Sequence, residues 1–104
     1  TDDMFIFRGV NIYPSQIDNL LSSLPGIGSE YQVFLNQMEG KDKLTLRIER
    51  AQNTDSTGDS QTAETIKTLI KHKVFVTPDV DVVDYGSLPR SERKTKRVSD
   101  VREI

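Results

Sequence analysis

The sequence has 104 residues, with 14 lysines and arginines against 16 aspartates and glutamates, giving a net charge of −2. This length suits one domain with one core and leaves little room for a deep substrate pocket. The mild acidity argues against nucleic acid as a partner. The lack of cysteine excludes thiolate metal sites, and a single histidine makes a histidine metal cluster implausible. No apolar run approaches the ~18 residues that span a membrane, so we expect a cytoplasmic protein with no membrane partner.

The opening residues predict a bent strand or a very small hairpin, because Gly9 separates the β-prone runs 4–8 and 10–13. Pro14 suits the first turn of a helix, and Pro25-Gly26 ends it. Between them, apolar side chains recur at helical spacing, at Ile17, Leu20, Leu21 and Leu24.

The middle of the sequence predicts an antiparallel hairpin. Apolar residues alternate over 31–35 and 44–48, on either side of turn-forming residues 39–42. In the second strand, Leu44, Leu46 and Ile48 alternate with the polar residues Thr45, Arg47 and Glu49.

The second half predicts a solvated loop over 51–61, a helix and a last strand near 78–84. The apolar stripe of this helix is Ala63, Ile66, Leu69, Ile70 and Val74. The resulting order is a split β-α-β-β-α-β sandwich of the α+β class, with a small mixed or antiparallel sheet packed by two helices. We expect a compact domain over 1–86 and a basic tail of the same domain over 87–104.

The tail concentrates positive charge and predicts contact with an anion. Five of its residues are basic within eight positions, namely Arg90, Arg93, Lys94, Lys96 and Arg97, whereas Arg8 is the one basic residue among the first forty. Charge alone more often marks a solvated segment. No aromatic residue lies between these basic residues to stack a base, which again disfavours nucleic acid.

Two segments at opposite ends resemble the C-terminal domain of adenylate-forming acyl-CoA ligases, in the form found in phenylacetate–coenzyme A ligases. The string DDMFIFRGVNIYPSQI, residues 2–17, resembles their hinge and the loop that follows it. The string LPRSERKTKRV, residues 88–98, resembles their lysine motif. The LPG after the first helix and the strand-turn-strand that follows also fit, so the resemblance covers essentially the whole sequence.

This resemblance implies a two-step reaction in which an aryl acid attacks ATP to give an acyl-adenylate, and coenzyme A then forms the thioester. ATP, Mg2+ and the acid would be bound mainly by a large N-terminal domain of the same chain. We therefore expect this sequence to be a fragment that is inactive alone and to hold no metal itself. In this family the small domain swings between one orientation for each step. A homodimer is left open.

The resemblance also assigns roles to single residues in the tail and at the hinge. Lys94 matches the catalytic lysine, whose charge suits a reaction that builds negative charge on the α-phosphate. Asp2 matches the hinge position. Lys96 or Arg97 would contact a phosphate of coenzyme A.

Gly9 matches the glycine of the thioesterification loop, where the missing Cβ lets the backbone approach the pantetheine arm. Arg8 and Asn11 flank it and would support that loop. One departure stands next to the lysine, because Arg93 replaces the usual glycine. Either the loop is shifted there or the additional cation has a role.

A second hypothesis remains from the residues alone. The predicted fold also serves non-catalytic, ferredoxin-like regulatory modules that bind a small ligand or dimerise, and the fold does not choose between these functions.

Overall fold

The computed structural model describes residues 4–90 and 97–102 of the chain. A short 3-10 helix, Ser56–Gly58, precedes the second α-helix. The helices and strands occur in the order β1 (Phe5–Phe7), β2 (Val10–Ile12), α1 (Pro14–Ser22), β3 (Ile27–Met38), β4 (Lys41–Arg50), α2 (Asp59–Val74), β5 (Asp79–Val83) and β6 (Val98–Asp100).

The main sheet is mixed and has the strand order β5-β4-β3-β6. The predicted antiparallel hairpin is confirmed as β3 and β4, with Tyr31 opposite Ile48 and Leu35 opposite Leu44. The last predicted strand, β5, runs parallel to β4. The other edge strand is β6, which runs parallel to β3 and comes from the basic tail. The tail is therefore tied into the sheet at its far end.

The opening residues form the predicted small hairpin, which makes a two-stranded sheet of its own. In it β1 pairs antiparallel with β2, with Phe5 opposite Ile12 and Phe7 opposite Val10. The main sheet thus takes its four strands from β3 onward, and the α+β class with two helices is confirmed.

One core lies between the hairpin, the helices and one face of the main sheet. Alternating residues of β3 and β4 supply the sheet face, and both predicted helical stripes supply the other side. Burying each large apolar side chain contributes about 1.5–3 kcal/mol. The most completely buried apolar members, at 0–3% exposure, are Phe7, Ile12, Ile17, Val33, Leu35, Leu46, Ile48, Ile66 and Ile70.

Helix α2 and strand β3 begin earlier in the chain than predicted, each beside a contact at the end of β4. Helix α2 begins at Asp59, inside the predicted loop, because Asp59 accepts hydrogen bonds from Arg50 Nε at 2.9 Å and Nη2 at 2.8 Å. An acidic residue is also favourable at a helix N-terminus. Strand β3 reaches back to Ile27, because Gly28 lets the chain pass the β4 backbone closely. A Cβ on Gly28 would lie 3.2 Å from the Arg50 carbonyl oxygen.

Within residues 4–90 and 97–102, neither helix combines the length and the apolar character that crossing a membrane requires.

Candidate functional sites

The tip of the β1–β2 hairpin is a two-residue turn formed by Arg8 and Gly9. Their φ angles are 49° and 78°, and two successive positive values are the pattern of a type I′ turn. Such a turn favours glycine, whereas a bulky residue like Arg8 seldom adopts this conformation. Both residues are exposed, and a Cβ on Gly9 would meet nothing within 4 Å. The backbone at Gly9 is therefore open to a ligand or to another domain.

This hairpin is fixed to the start of β4. Arg8 Nη2, at the tip of the hairpin, donates to the Asp42 carbonyl oxygen at 3.1 Å. Arg102, beyond β6, donates from Nη1 to the Ile6 carbonyl oxygen and to Asp42 Oδ2, both at 2.7 Å. The predicted site residue Asn11 is exposed and pairs with Ile6 on the outward side of the hairpin. Chain positions far apart in sequence thus hold the Gly9 turn in place.

The carboxylates of Asp42 and Asp100, which bind Arg102, are stabilised in their charged form. A hydrogen bond from Gln37, followed by one from Arg102, holds the pKa of Asp42 below its usual value. Arg102 likewise lowers the pKa of Asp100, to which it donates from Nε at 2.9 Å and Nη2 at 2.8 Å. Both carboxylates are therefore fully charged at neutral pH.

At the other end of β4, Glu49 is completely buried. Its Oε1 accepts from the Gly86 N–H at 3.0 Å and its Oε2 from the Leu88 N–H at 2.9 Å. The Arg90 guanidinium also donates to Oε2 and stacks over the Tyr85 ring at 5.2 Å. Burial would raise the pKa of Glu49, but the hydrogen bonds from Arg90, Gly86 and Leu88 outweigh it and lower the pKa. Glu49 is thus an ionised carboxylate that binds residues 86–90, at the start of the basic tail.

Arg97 marks the point where the chain returns to the described sheet. Its guanidinium lies 4.6 Å from the centre of the Tyr31 ring, and Nη1 donates to the Ser29 carbonyl oxygen at 3.2 Å. Nη2 lies 3.7 Å from Glu30, while the buried Nε has no hydrogen-bond partner among the described residues. The Arg97 side chain, 11% exposed, is thus packed against β3.

Three predicted site residues lie outside the described residues, namely Asp2, Lys94 and Lys96. The same holds for Arg93, which departs from the motif. We call residues 91–96 the lysine segment. The described residues on either side of it are Arg90 and Arg97, and they define where it is attached.

The two predicted segments are attached at opposite ends of the β3–β4 ribbon. The hairpin is held at Asp42, near the start of β4, and the tail is held at Glu49, near its end. Seven residues of extended strand separate these positions by roughly 23 Å. The Gly9 turn and the residues that bind Glu49 are therefore attached at different ends of the ribbon.

Sequence reasoning did not identify the function of Glu49. Glu49 entered the prediction only as a polar residue that alternates with the apolar residues of β4. In the structure it is covered by the chain from Gly86 to Arg90, which follows 37 to 41 residues later. Nothing in the sequence around Glu49 signals this contact.

Among the described residues, no three histidine, cysteine or acidic side chains are grouped so that they could hold a metal ion. The charged groups form ion pairs and hydrogen bonds that join elements, as at Glu49 and Asp42.

The fold and the attached tail define the class of protein as a small α+β domain. The model of the family described as "AMP-binding enzyme C-terminal domain" matches residues 9–102. The chain belongs to this family.

Curated relatives point to one kind of ligase. The chain is 35% identical to a phenylacetate-coenzyme A ligase of Escherichia coli over 100% of this chain and 24% of the relative. It is 32% identical to the enzyme of the same name from Thermus thermophilus, over 98% of this chain and 26% of the relative. The chain thus spans about a quarter of the length of these relatives.

Solved structures agree with this placement. A domain of phenylacetate-coenzyme A ligase from Bacteroides vulgatus superimposes with a TM-score of 0.87 at 38% identity, covering 98% of this chain and 95% of that one. A 2-hydroxyisobutyryl-CoA ligase described in its thioesterification state, with an acyl-adenylate and CoA, superimposes with a TM-score of 0.88 at 31% identity, covering 98% of this chain and 22% of that one.

Proposed function

We propose that this chain is the mobile C-terminal domain of an ATP-dependent coenzyme A ligase that acts on an aryl acid of the phenylacetate type. The relatives of that name are about four times as long as this chain. The proposal assigns ATP, Mg2+ and the acid to the large N-terminal domain. The proposal also divides the chain into a compact body over 1–86 and a lysine-bearing tail over 87–104.

The observation that carries the proposal is the separation of the two motif segments. The Gly9 turn and the attachments of the lysine segment lie at opposite ends of the β3–β4 ribbon, roughly 23 Å apart along the strand. Both half-reactions take place at the same acyl group. A domain that serves both must therefore turn to present one end and then the other, with Asp2 as the proposed hinge.

In the first orientation, Lys94 faces the reacting groups. Its ammonium stabilises the negative charge that grows on the α-phosphate and holds the attacking carboxylate in line, so that the acyl-adenylate forms and pyrophosphate leaves. The described basic residues on either side of Lys94 are Arg90, which binds Glu49, and Arg97, which packs on Tyr31.

In the second orientation, the Gly9 turn lies beside the pantetheine arm while the coenzyme A thiol attacks the adenylate and AMP leaves. The open space at Gly9 supports a close approach of backbone to ligand. Arg8 and Asn11 flank the turn and are exposed. Lys96 or Arg97 contacts a coenzyme A phosphate in this proposal, and the contacts of Arg97 with Tyr31 and Ser29 favour Lys96.

The test measures the two half-reactions separately in the full-length enzyme. Lys94→Ala should lower pyrophosphate release by about 10²-fold or more, because a charge that acts in the transition state is lost. Thioester formation from a supplied acyl-adenylate should be unchanged. Lys71→Ala, at an exposed lysine of α2, is the matched control and should leave both steps intact. An equal loss in both steps would exclude this role for Lys94.

Gly9→Leu should produce the opposite pattern, with thioester formation blocked and pyrophosphate release retained. Its control is Gly26→Leu. Gly26 has a φ of 80° and equally open surroundings, but it lies at the other end of β3 from Asp42. Both variants impose similar backbone strain, about 1–2 kcal/mol. Normal thioester yield from the Gly9 variant would remove this glycine from the mechanism.

A further inference from the structure

Glu49 is a buried charge whose described hydrogen bonds all go to one short stretch of chain. Its donors are the backbone N–H groups of Gly86 and Leu88 and the guanidinium of Arg90. A buried carboxylate persists only where such partners replace its lost hydration. Because the three donors occupy alternate positions, Glu49 fixes both the path and the direction of residues 86–90.

The stretch that Glu49 holds leads directly into the lysine segment. Arg90 stands four positions before Lys94, and Arg97 three positions after it. Arg97 is fixed to β3 at Tyr31, which pairs with Ile48, the neighbour of Glu49. The lysine segment is therefore attached at both ends to adjacent places on two paired central strands.

From this geometry we propose that Glu49 is a positioning residue for adenylation, acting through the backbone that carries Lys94. The inference rests on the proposed role of Lys94. A transition-state contact is sensitive to displacements of about 1 Å, so a loosened attachment at 86–90 lowers the rate without removing the lysine. Thioester formation uses the Gly9 turn at the other end of the ribbon. Its proposed phosphate contact at Lys96 or Arg97 lies beside the attachment of Arg97 to Tyr31 and not beside residues 86–90.

The neighbouring residue Arg50 provides a matched comparison. It binds Asp59 at the start of α2 and Asp84 after β5, so it joins the same end of β4 to the rest of the domain. Asp59→Asn weakens this network without touching residues 86–90. If Glu49 merely stabilised the fold, substitutions at Glu49 and Asp59 would have the same kinetic effect.

The experiment compares Glu49→Gln with Asp59→Asn in the full-length ligase. Glutamine keeps the shape but turns an NH2 group toward a backbone or guanidinium donor. Pyrophosphate release should fall about tenfold or more in the Glu49 variant, while thioester formation from a supplied acyl-adenylate stays unchanged. Asp59→Asn should show no such split. Equal losses in both steps, or the same split in the Asp59 variant, would overturn the inference.

A double substitution tests whether Glu49 acts through the lysine. Once Lys94 is replaced by alanine, Glu49→Gln should cause no further loss of adenylation, because coupled residues are not additive. A full additional loss would contradict the proposed route. If Glu49→Gln does not fold, Arg90→Gln removes one donor from a half-exposed position and should give the same split to a smaller degree. Equal effects on both steps would again refute the idea.

The results separate the two proposals. Normal adenylation by Lys94→Ala would overturn the proposed function itself. Loss of adenylation by Lys94→Ala together with normal adenylation by Glu49→Gln would overturn only the positioning role.

Discussion

At the scale of single residues, arginine–carboxylate contacts join the ends of strands to other parts of the domain. Arg50 binds Asp59 through two nitrogens, and Arg102 binds Asp42 and Asp100. The planar guanidinium suits such paired contacts because it presents several donors in a fixed geometry. These arginines are mostly buried, with side-chain exposures of 12% and 13%, so solvent screens their ion pairs less than those at the surface.

The same scale supports a prediction about acid stability. The folded state lowers the pKa of Glu49 below its ordinary value of 4.5, so its contribution is complete above that pH and is lost as the pH falls through the folded value. At pH 7, Glu49→Gln should lower the free energy of unfolding by about 1.5–3 kcal/mol, the range for hydrogen bonds to a charged group. The difference from the wild type should shrink below pH 4.5 in denaturant titrations.

The control for this prediction is Glu64→Gln on α2, where the exposed carboxylate lies 3.7 Å from Lys67. This variant should change stability by less than about 1 kcal/mol at any pH. A Glu49 difference that grows on acidification would contradict the lowered pKa.

At the scale of elements, the β1–β2 hairpin depends on its attachments. A two-stranded hairpin alone is marginally stable in water. Here Phe5, Phe7 and Ile12 reach the common core, while Arg102 holds the Ile6 carbonyl from beyond β6. The ends of the described chain therefore meet at Asp42, which couples the glycine turn to the edge strand that follows the lysine segment.

Arg102→Gln should loosen the hairpin without unfolding the domain. Losing the partly exposed contacts to Asp42 and Asp100 costs about 1 kcal/mol locally, so amide exchange over residues 5–12 should become about fivefold faster. Hydrogen-exchange mass spectrometry would measure this. Lys43→Gln, which removes the surface pair with Asp79 at 3.2 Å, should leave the exchange unchanged. Unaltered hairpin exchange in the Arg102 variant would mean that the core contacts suffice.

At the scale of the whole molecule, the described chain has the dimensions of an ordinary domain. Its radius of gyration is 13.3 Å, close to the value of about 13 Å expected for 100 folded residues. A Bacteroides vulgatus domain of nearly the same extent was crystallised, since this chain covers 95% of it. The relatives' greater length indicates that such a domain works beside a larger one.

The chain alone should accordingly fold but lack catalysis. We expect one cooperative thermal transition, as for most single domains of this size. Mixing the chain with ATP, Mg2+ and phenylacetate should release no pyrophosphate above background, because the proposed ATP and acid pockets lie in the other domain. Formation of acyl-adenylate by the chain alone would refute the assignment of the ATP and acid pockets to the other domain.

Much of the architecture follows from local patterns. The stripes at Ile17 and Leu21 and at Ile66 and Ile70 were predictable because helical periodicity depends on residues close together in the sequence. All four of these side chains are buried. The turn at Gly9 was predictable as a bend between two β-prone runs. The family was also recognisable, because its motifs are short, continuous strings.

The contacts around the candidate sites could not be predicted in the same way. Glu49 reads as a polar residue of an alternating strand, and Arg97 as a member of a basic run. Their burial depends on β5 lying beside β4 and on β6 lying beside β3, which brings Arg90 to Glu49 and Arg97 to Tyr31.

The sequence by itself therefore determined the helices, the central hairpin and the family to which the chain belongs, since each depends on residues close together along the chain. Only the tertiary structure decided that the Gly9 turn and the lysine segment are attached at opposite ends of one ribbon. It also decided that Glu49 binds residues 86–90, which lead into the lysine segment. The physical reason is that a buried charge forms its hydrogen bonds with the segment that packs against it in the folded domain, wherever that segment lies in the sequence. Here that chain follows 37 to 41 residues later.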